Sequence, residues 1–321
     1  MAGNRAEGEA AGNVNSRTEM TIDIPVCAAP DPQPRKPKLV LPRQACDCHA
    51  HICGPAADYP YDEKRIYTPT DCLLPEYRRL LAVLGVDRAV LVQPSFYAAD
   101  NRVLIGALRA GGANFRGIAV VPDDVADREL EALHAAGVRG VRVNVVDRRD
   151  GKGEVPIHKL REIAERVRPL GWHMELLAHV NEFPDLDRLF AGFPVDVVFG
   201  HLGYVPATAG VATQGFQALL RLMKEGRAWA KLSGPYRISS HTLPFADVDP
   251  FAAALIEAAP ERLVWGTDWP HVKAAWSIPM PNDGDLTELL ARWVPPELLH
   301  QILVDNPAAL YGFALAAPEP G

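Results

Sequence analysis

From Leu41 onward, short β-prone apolar runs alternate with longer stretches whose apolar residues recur at helical spacing. The short runs are Gln44–Cys48, Arg88–Gln93, Arg116–Val121, Val138–Val143, Trp172–Leu177, Asp196–Phe199, Ala228–Lys231 and Leu263–Gly266. Helical patterns fall between them near 75–84, 100–110, 127–136, 157–168, 184–190, 213–224 and 250–259, then near 286–293 and 306–312. Strands that alternate with helices build a parallel sheet covered by those helices. Eight such units predict an α/β protein folded as one (β/α)8 TIM barrel over residues 38–321. A doubly wound open sheet is the alternative, but no G-x-G-x-x-G follows the first run to support a dinucleotide fold. Residues 1–37 are rich in Gly, Ala, Asn and Glu, then in Pro30, Pro32, Pro34 and Pro37. That composition predicts a flexible N-terminal extension, with Met20–Val26 as one short added strand.

Barrel active sites sit at the C-terminal ends of the strands, so the polar residues there are the informative ones. Successive strand ends bring His49 and His51; Gln93 and Ser95; Arg142 and Asn144, then Arg148 and Arg149; Glu175 and His179; His201; Ser233 and Arg237; and Asp268. The first of these ends reads Asp47-Cys48-His49-Ala50-His51 and the last Gly266-Thr267-Asp268-Trp269-Pro270. Strand alternation predicts Asp47, His49 and His51 on one face, with Cys46, Cys48 and Ala50 on the other. Two adjacent imidazoles can polarise one oxygen or ligate one metal ion. A carboxylate from a distant strand can then take a proton from water. The constellation is that of a hydrolase.

Composition narrows the partners. Of 321 residues, 48% are hydrophobic and 23% charged, as in soluble globular proteins, and the net charge of −7 argues against nucleic acid. Arginines at the rim nevertheless suit a small anionic substrate. No apolar run nears the roughly 18 residues of a membrane span, so no membrane partner is expected. No basic region precedes an apolar one at the N-terminus, which makes the cytoplasm the expected compartment. Five cysteines in a chain this long do not suggest a disulfide framework, and alternation turns Cys46 and Cys48 away from the histidines. Structural roles stand beside the chemical ones: His49 and His51 as core histidines, Asp268 as a turn cap, Arg142 as an ion-pair partner, Arg148 as a solvated charge, and Tyr67 as packing. His173 is expected inside the barrel base or its helix layer, and Trp265 and Trp269 as packing aromatics.

Taken in order, Asp47-x-His49-x-His51, His201-Leu202-Gly203 and Gly266-Thr267-Asp268-Trp269-Pro270 resemble the amidohydrolase superfamily. Tyr59-Pro60-Tyr61, Tyr67-Thr68-Pro69, Val92-Gln93-Pro94-Ser95, Arg139–Asn144 and Asn306–Phe313 extend the resemblance to its lactone-hydrolase branch, that of 2-pyrone-4,6-dicarboxylate and 4-sulfomuconolactone. The likeness runs from about Gln44 to Phe313. It implies Asp268 as general base, with His49, His51 and His201 around the scissile carbonyl oxygen. Arg142, Arg148 and Arg237 would hold the substrate's acidic groups, and Tyr67 and Ser95 would line the same pocket. The implied activity is opening of an unsaturated dianionic lactone in bacterial breakdown of aromatic compounds, by a monomer or small homo-oligomer. Binuclear members carry a carboxylated lysine after strand four, where this chain has Arg142 and Asn144, which argues against a binuclear centre. No unmistakable histidine after strand five sits where a ligand must, so the reading taken is a site that needs no cofactor. The alternative is one Zn2+ on His49, His51, His179 and Asp268. The rival functions are a zinc-dependent decarboxylase on the same barrel and a non-catalytic binder of an acidic metabolite.

Overall fold

The computed structural model describes residues 24–146 and 155–315. Eight parallel strands follow one another in sequence order around a barrel: β1 (Cys46–Ala50), β2 (Arg88–Val92), β3 (Phe115–Ala119), β4 (Val138–Asn144), β5 (His173–Leu177), β6 (Val197–Phe199), β7 (Ala228–Leu232) and β8 (Leu263–Trp265). The ring is completed just past β8, where Ala50 bridges Trp269, His51 N donates to Trp269 O at 2.8 Å, and Asp268 N donates to His49 O at 2.7 Å. The protein is a (β/α)8 TIM barrel.

Helices α1 (Leu74–Leu84), α2 (Arg102–Gly111), α3 (Asp127–Ala135), α4 (Ile157–Val167), α5 (Leu186–Leu189), α6 (Gln214–Lys224), α7 (Asp249–Ala258) and α8 (Asp283–Trp293) form the outer layer. Local signals set their ends. At α1 the Glu76 side chain accepts from Leu73 N at 2.6 Å, Pro75 opens the first turn, and Gly85 terminates it in the left-handed region. The expected helix near 184–190 is only the four residues of α5.

Side chains split cleanly between two layers. Cys46, Cys48, Val90, Val92, Ile118, Val198, Trp229 and Val264 form one buried cluster inside the barrel. Their strand neighbours Ala89, Leu91, Val197, Ala230 and Leu263 pack outward into the helix-facing core. The last helix, α9 (Asn306–Tyr311), lies across the N-terminal mouth. Tyr311 and Phe313 join the interior cluster, and the guanidinium groups of Arg88 and Arg116 lie 5.0 and 4.7 Å from the Phe313 ring centre. The bottom is plugged, which leaves the top for chemistry.

One segment needs placing and one expectation needs correction. Residues 24–37 lie against the barrel. Cys27 N donates to Thr68 O at 2.8 Å, Thr68 N donates to Pro25 O at 2.9 Å, and Asn282 Nδ2 donates to Asp31 Oδ2 at 2.7 Å. Val26 makes a single bridge to Thr68; the rest of the expected extension and strand, residues 1–23, lies outside the described residues. The correction concerns β1. Its pairing with β2 shifts by one residue between Asp47 and Ala50, which is a β-bulge. Beyond it the alternation reverses. Cys46 and Cys48 therefore face the barrel interior below the histidines, while Asp47 points outward to α1.

Candidate active site

The top of the barrel is held together by a buried carboxylate beneath the histidines. Asp47 accepts from His49 N at 3.0 Å, Thr267 N at 2.9 Å, Thr267 Oγ1 at 2.6 Å and Tyr77 Oη at 2.9 Å. Those bonds tie β1, the loop after β8 and α1 into one unit. Burial pushes Asp47 up to about 6 in spite of them. Glycine permits the close approach: a Cβ on Gly266 would come within 2.6 Å of His49 N. Gly234, at φ +55°, passes so near that a Cβ would meet His201 Nδ1 at 2.8 Å and Asp268 Oδ2 at 3.0 Å.

On this frame three imidazoles converge on one carboxylate oxygen. Asp268 Oδ1 lies 3.8 Å from His49 Nε2, 3.9 Å from His51 Nε2 and 3.9 Å from His201 Nε2. All four side chains are buried. His201 and Asp268 hold left-handed backbones, at φ 48° and 66°, a strain of about 1–2 kcal/mol each that is stored where the side chains meet. The other oxygen, Asp268 Oδ2, accepts from Tyr236 Oη at 2.6 Å and Arg237 Nε at 2.5 Å. Oδ1 has no hydrogen-bond partner among the described residues, and neither does His49 Nε2. Two buried polar atoms left unpaired side by side form a receptor for something polar.

Proton positions follow from the partners behind each ring. His51 Nδ1 lies 2.7 Å from Val92 O, which can only accept, so the proton is on Nδ1 and Nε2 presents a lone pair. His49 Nδ1 lies 3.1 Å from Lys231 Nζ, an ammonium that can only donate, so its proton is on Nε2. His201 Nδ1 lies 3.0 Å from Ser233 Oγ, which can play either part. Burial first, then the charges of Lys231 and Arg142 among others, holds His49 well below the ordinary imidazole value. Burial and Arg142 bring His51 down to about 4. Burial likewise brings His201 down to about 3 against the pull of the Asp268 carboxylate, with Arg237, Arg142 and Lys231 also lowering it. Burial would raise Asp268, but Arg237 and the neighbouring His201 and His51 hold it well below the carboxylate range. At neutral pH the cluster is three neutral imidazoles around an anionic carboxylate.

The model of the amidohydrolase family matches residues 46–313. A 2-pyrone-4,6-dicarboxylate hydrolase of Comamonas testosteroni is 38% identical over 288 residues, 87% of this chain and 93% of that protein. The chain belongs to the amidohydrolase family. A 4-sulfomuconolactone hydrolase of Rhizobium radiobacter is also 38% identical, over 90% of this chain and 97% of that one. Among solved structures, a Pseudomonas putida protein provisionally described as a 2-pyrone-4,6-dicarboxylic acid hydrolase superposes with a TM-score of 0.75. It is 32% identical, covering 86% of this chain and all of the other.

Within this amidohydrolase, the residues expected at the site fall into distinct places. His49, His51, His201 and Asp268 are brought together as described. Arg142 is buried on β4, donates to Gln93 O at 2.8 Å, and faces an open cavity of about 410 Å3 that Ser95, Asn144 and Lys159 also line. Ser95 Oγ accepts from Asn144 Nδ2 at 2.7 Å. Arg237 donates to Asp268, reaches Val272 O at 3.3 Å and stacks on Tyr236. Tyr67 is buried against Phe96 with the Lys273 ammonium 5.6 Å from its ring centre, away from the cavity beside Arg142. Arg148 lies outside the described residues. His173 sits inside the barrel, edge-on to Tyr311, and Trp265 and Trp269 are packing residues.

His179 does not join the cluster. Its Nδ1 is 2.8 Å from Tyr204 O, and among the described residues the group able to hold a metal ion is His49, His201 and Asp268, with ligand atoms within 4.8 Å of one another. Of that group, His49 does not suit zinc in its present tautomer, because its lone pair is directed at Lys231 and not at the centre. Lys231, Tyr236 and the Tyr236–His271–Asp283 chain, with spacings of 3.0 and 3.1 Å, were not foreseen as site residues. A lysine inside the apolar run Ala228–Leu232 was the available signal for the first.

Proposed function

We propose that this amidohydrolase opens a small, unsaturated, dianionic lactone, of the 2-pyrone-4,6-dicarboxylate or 4-sulfomuconolactone type, in the breakdown of aromatic compounds. The observation that carries this reading is the pair of unpartnered buried atoms, Asp268 Oδ1 as acceptor and His49 Nε2–H as donor, side by side. The first suits a water molecule and the second the oxygen of a carbonyl.

In this reading a water lies between Asp268 Oδ1 and the bare His51 Nε2, with its own lone pair directed at the lactone carbonyl carbon. Asp268 takes one proton as the water oxygen bonds to that carbon. The carbonyl oxygen becomes an oxyanion and is stabilised by His49 Nε2–H. Collapse of the tetrahedral intermediate breaks the bond to the ring oxygen, which leaves as an enolate. The proton on Asp268 returns to the products, and the new carboxylic acid ionises at neutral pH. Arg142, and Arg148 in the stretch outside the described residues, hold the acidic substituents, where a guanidinium fork matches carboxylate or sulfonate oxygens. Arg237 keeps Asp268 ionised and oriented, with Oδ2 occupied and Oδ1 toward the reaction.

The reading requires no metal for turnover. Both lactones should be supplied to the purified protein before and after chelation, with metal content measured alongside. Undiminished hydrolysis of either lactone by metal-free protein is the expected result. Activity lost with one Zn2+ per chain and restored on its return would overturn the metal-free mechanism. If neither lactone is consumed, the decarboxylase moves ahead.

A further inference from the structure

Beneath the converging histidines lies a buried ionic group that the proposed chemistry does not use. Lys231 sits on β7 at the second position after Trp229, so alternation turns it, like Trp229, into the barrel. Its side chain is completely buried. Its ammonium has three acceptors: Glu175 Oε1 at 2.6 Å, Cys48 O at 2.7 Å and His49 Nδ1 at 3.1 Å. Three N–H groups meet three acceptors, and an ammonium has no lone pair to offer in return. Glu175 is fixed in its turn, with the Tyr311 hydroxyl 3.3 Å away on the helix that plugs the barrel.

A buried ion pair is weak evidence for stability, because desolvation offsets most of the attraction, and its best-supported use is to specify an arrangement. Here the arrangement is visible. Two imidazoles of one H-x-H segment have opposite partners behind them, a carbonyl oxygen behind His51 and an ammonium behind His49. They therefore present opposite faces to the site. With an acceptor in place of Lys231, His49 would present a lone pair, as His51 does.

We propose that Lys231, anchored by Glu175, is a positioning residue that fixes His49 as the Nε2–H tautomer. It thereby makes His49 a donor to the reacting carbonyl and denies the same nitrogen to a metal ion. The donor half rests on the lactonase reading. The tautomer and the metal half do not.

The test uses the full chain labelled with 15N, in long-range 1H–15N correlation spectra that report which ring nitrogen of each histidine is protonated. In the wild type the proton is expected on Nε2 of His49 and on Nδ1 of His51. The paired variant Lys231→Met with Glu175→Gln removes both charges together, so that no buried ion is left alone. In it His49 is expected to shift its proton to Nδ1. Titration with Zn2+ alone, followed calorimetrically, is expected to show at least about tenfold tighter binding than in the wild type, the lower end of what an outer partner of a metal ligand contributes. Turnover is expected to fall about 100-fold in kcat with little change in KM, as for loss of one oxyanion donor.

A wild-type spectrum with the His49 proton on Nδ1 overturns the proposal, and that spectrum needs no variant to fold. Unchanged zinc affinity in a folded paired variant overturns the metal half. If the wild type hydrolyses neither lactone, the donor half falls with the lactonase reading, while the spectra and the zinc titration still decide the rest.

Discussion

Replacing Arg237 with methionine separates a residue that holds substrate from one that tunes the base. Its Nε is 2.5 Å from Asp268 Oδ2, and its charge, ahead of His201 and His51, keeps that carboxyl well below its usual range against the effect of burial. Two unit charges about 4 Å apart at an effective dielectric near 20 interact by about 4 kcal/mol, or about three pKa units. Loss of the guanidinium therefore returns Asp268 to at least the ordinary carboxylate range. His51, down at about 4 partly through Arg237, rises with it. In the wild type the acid limb of kcat/KM is expected from His51, near pH 4. In Arg237→Met it should move up by at least about one pH unit as Asp268 begins to protonate within the working range. The assay is initial rate by lactone absorbance between pH 3.5 and 8, with protein diluted from a neutral stock. Stripping the partner from a buried carboxylate also costs about 3–5 kcal/mol of stability. Arg237→Lys, which keeps the charge but not the planar fork, should recover most of the wild-type limb. An unmoved acid limb in Arg237→Met, with KM alone raised, would show that Arg237 touches only substrate and refute the argument.

Three further outcomes are expected. Thr267→Val leaves Asp47 Oδ2 without its 2.6 Å partner, which should cost about 1–3 kcal/mol and a few degrees of melting temperature with KM unchanged; an unshifted melting curve would contradict it. Folded His51 and His201 protonate only near 4 and 3, with His49 also held low. As pH falls below about 6.5, the unfolded chain takes up protons that the folded one refuses, so stability is lost from there down to those values. Asp47, pushed up to about 6, works the other way between its unfolded value near 4 and about 6, leaving a net difference of about two protons. Urea midpoints measured from pH 7 to 4 should therefore fall, and a flat profile would remove the buried neutral histidines. Arg142→Met should raise KM about 10- to 100-fold with a smaller effect on kcat, since a charge-assisted bond contributes about 1.5–3 kcal/mol; an unchanged KM excludes it from the substrate clamp.

The barrel was legible in the chain because eight apolar runs and the helical patterns between them repeat one unit, and neither depends on long-range detail. The strand limits differ by a residue or two, as between Arg116–Val121 and the observed Phe115–Ala119. Four site residues were legible for a related reason: strand ends in such a barrel share one rim, so His49, His51, His201 and Asp268 meet wherever the loops go. What the spacing concealed was the bulge after Asp47. One extra residue reverses a period-two pattern, and nothing in Asp47-Cys48-His49 marks where that residue is inserted. The partners behind the rings were equally hidden. Lys231 lies 182 residues from His49 in sequence and Ser233 lies 32 from His201, so the fold alone brings each pair together. Arg237 is a further case: its pairing with the protein's own Asp268 was not legible from its type.

The central claim is that Asp268, through Oδ1, activates the attacking water among preset histidines. The most direct test is Asp268→Asn, with turnover measured beside substrate binding by calorimetry. Binding within a few-fold of wild type and a kcat lowered about a thousandfold, within the range of lost general-base catalysis, is the predicted result. Near-normal turnover in that variant would contradict the account.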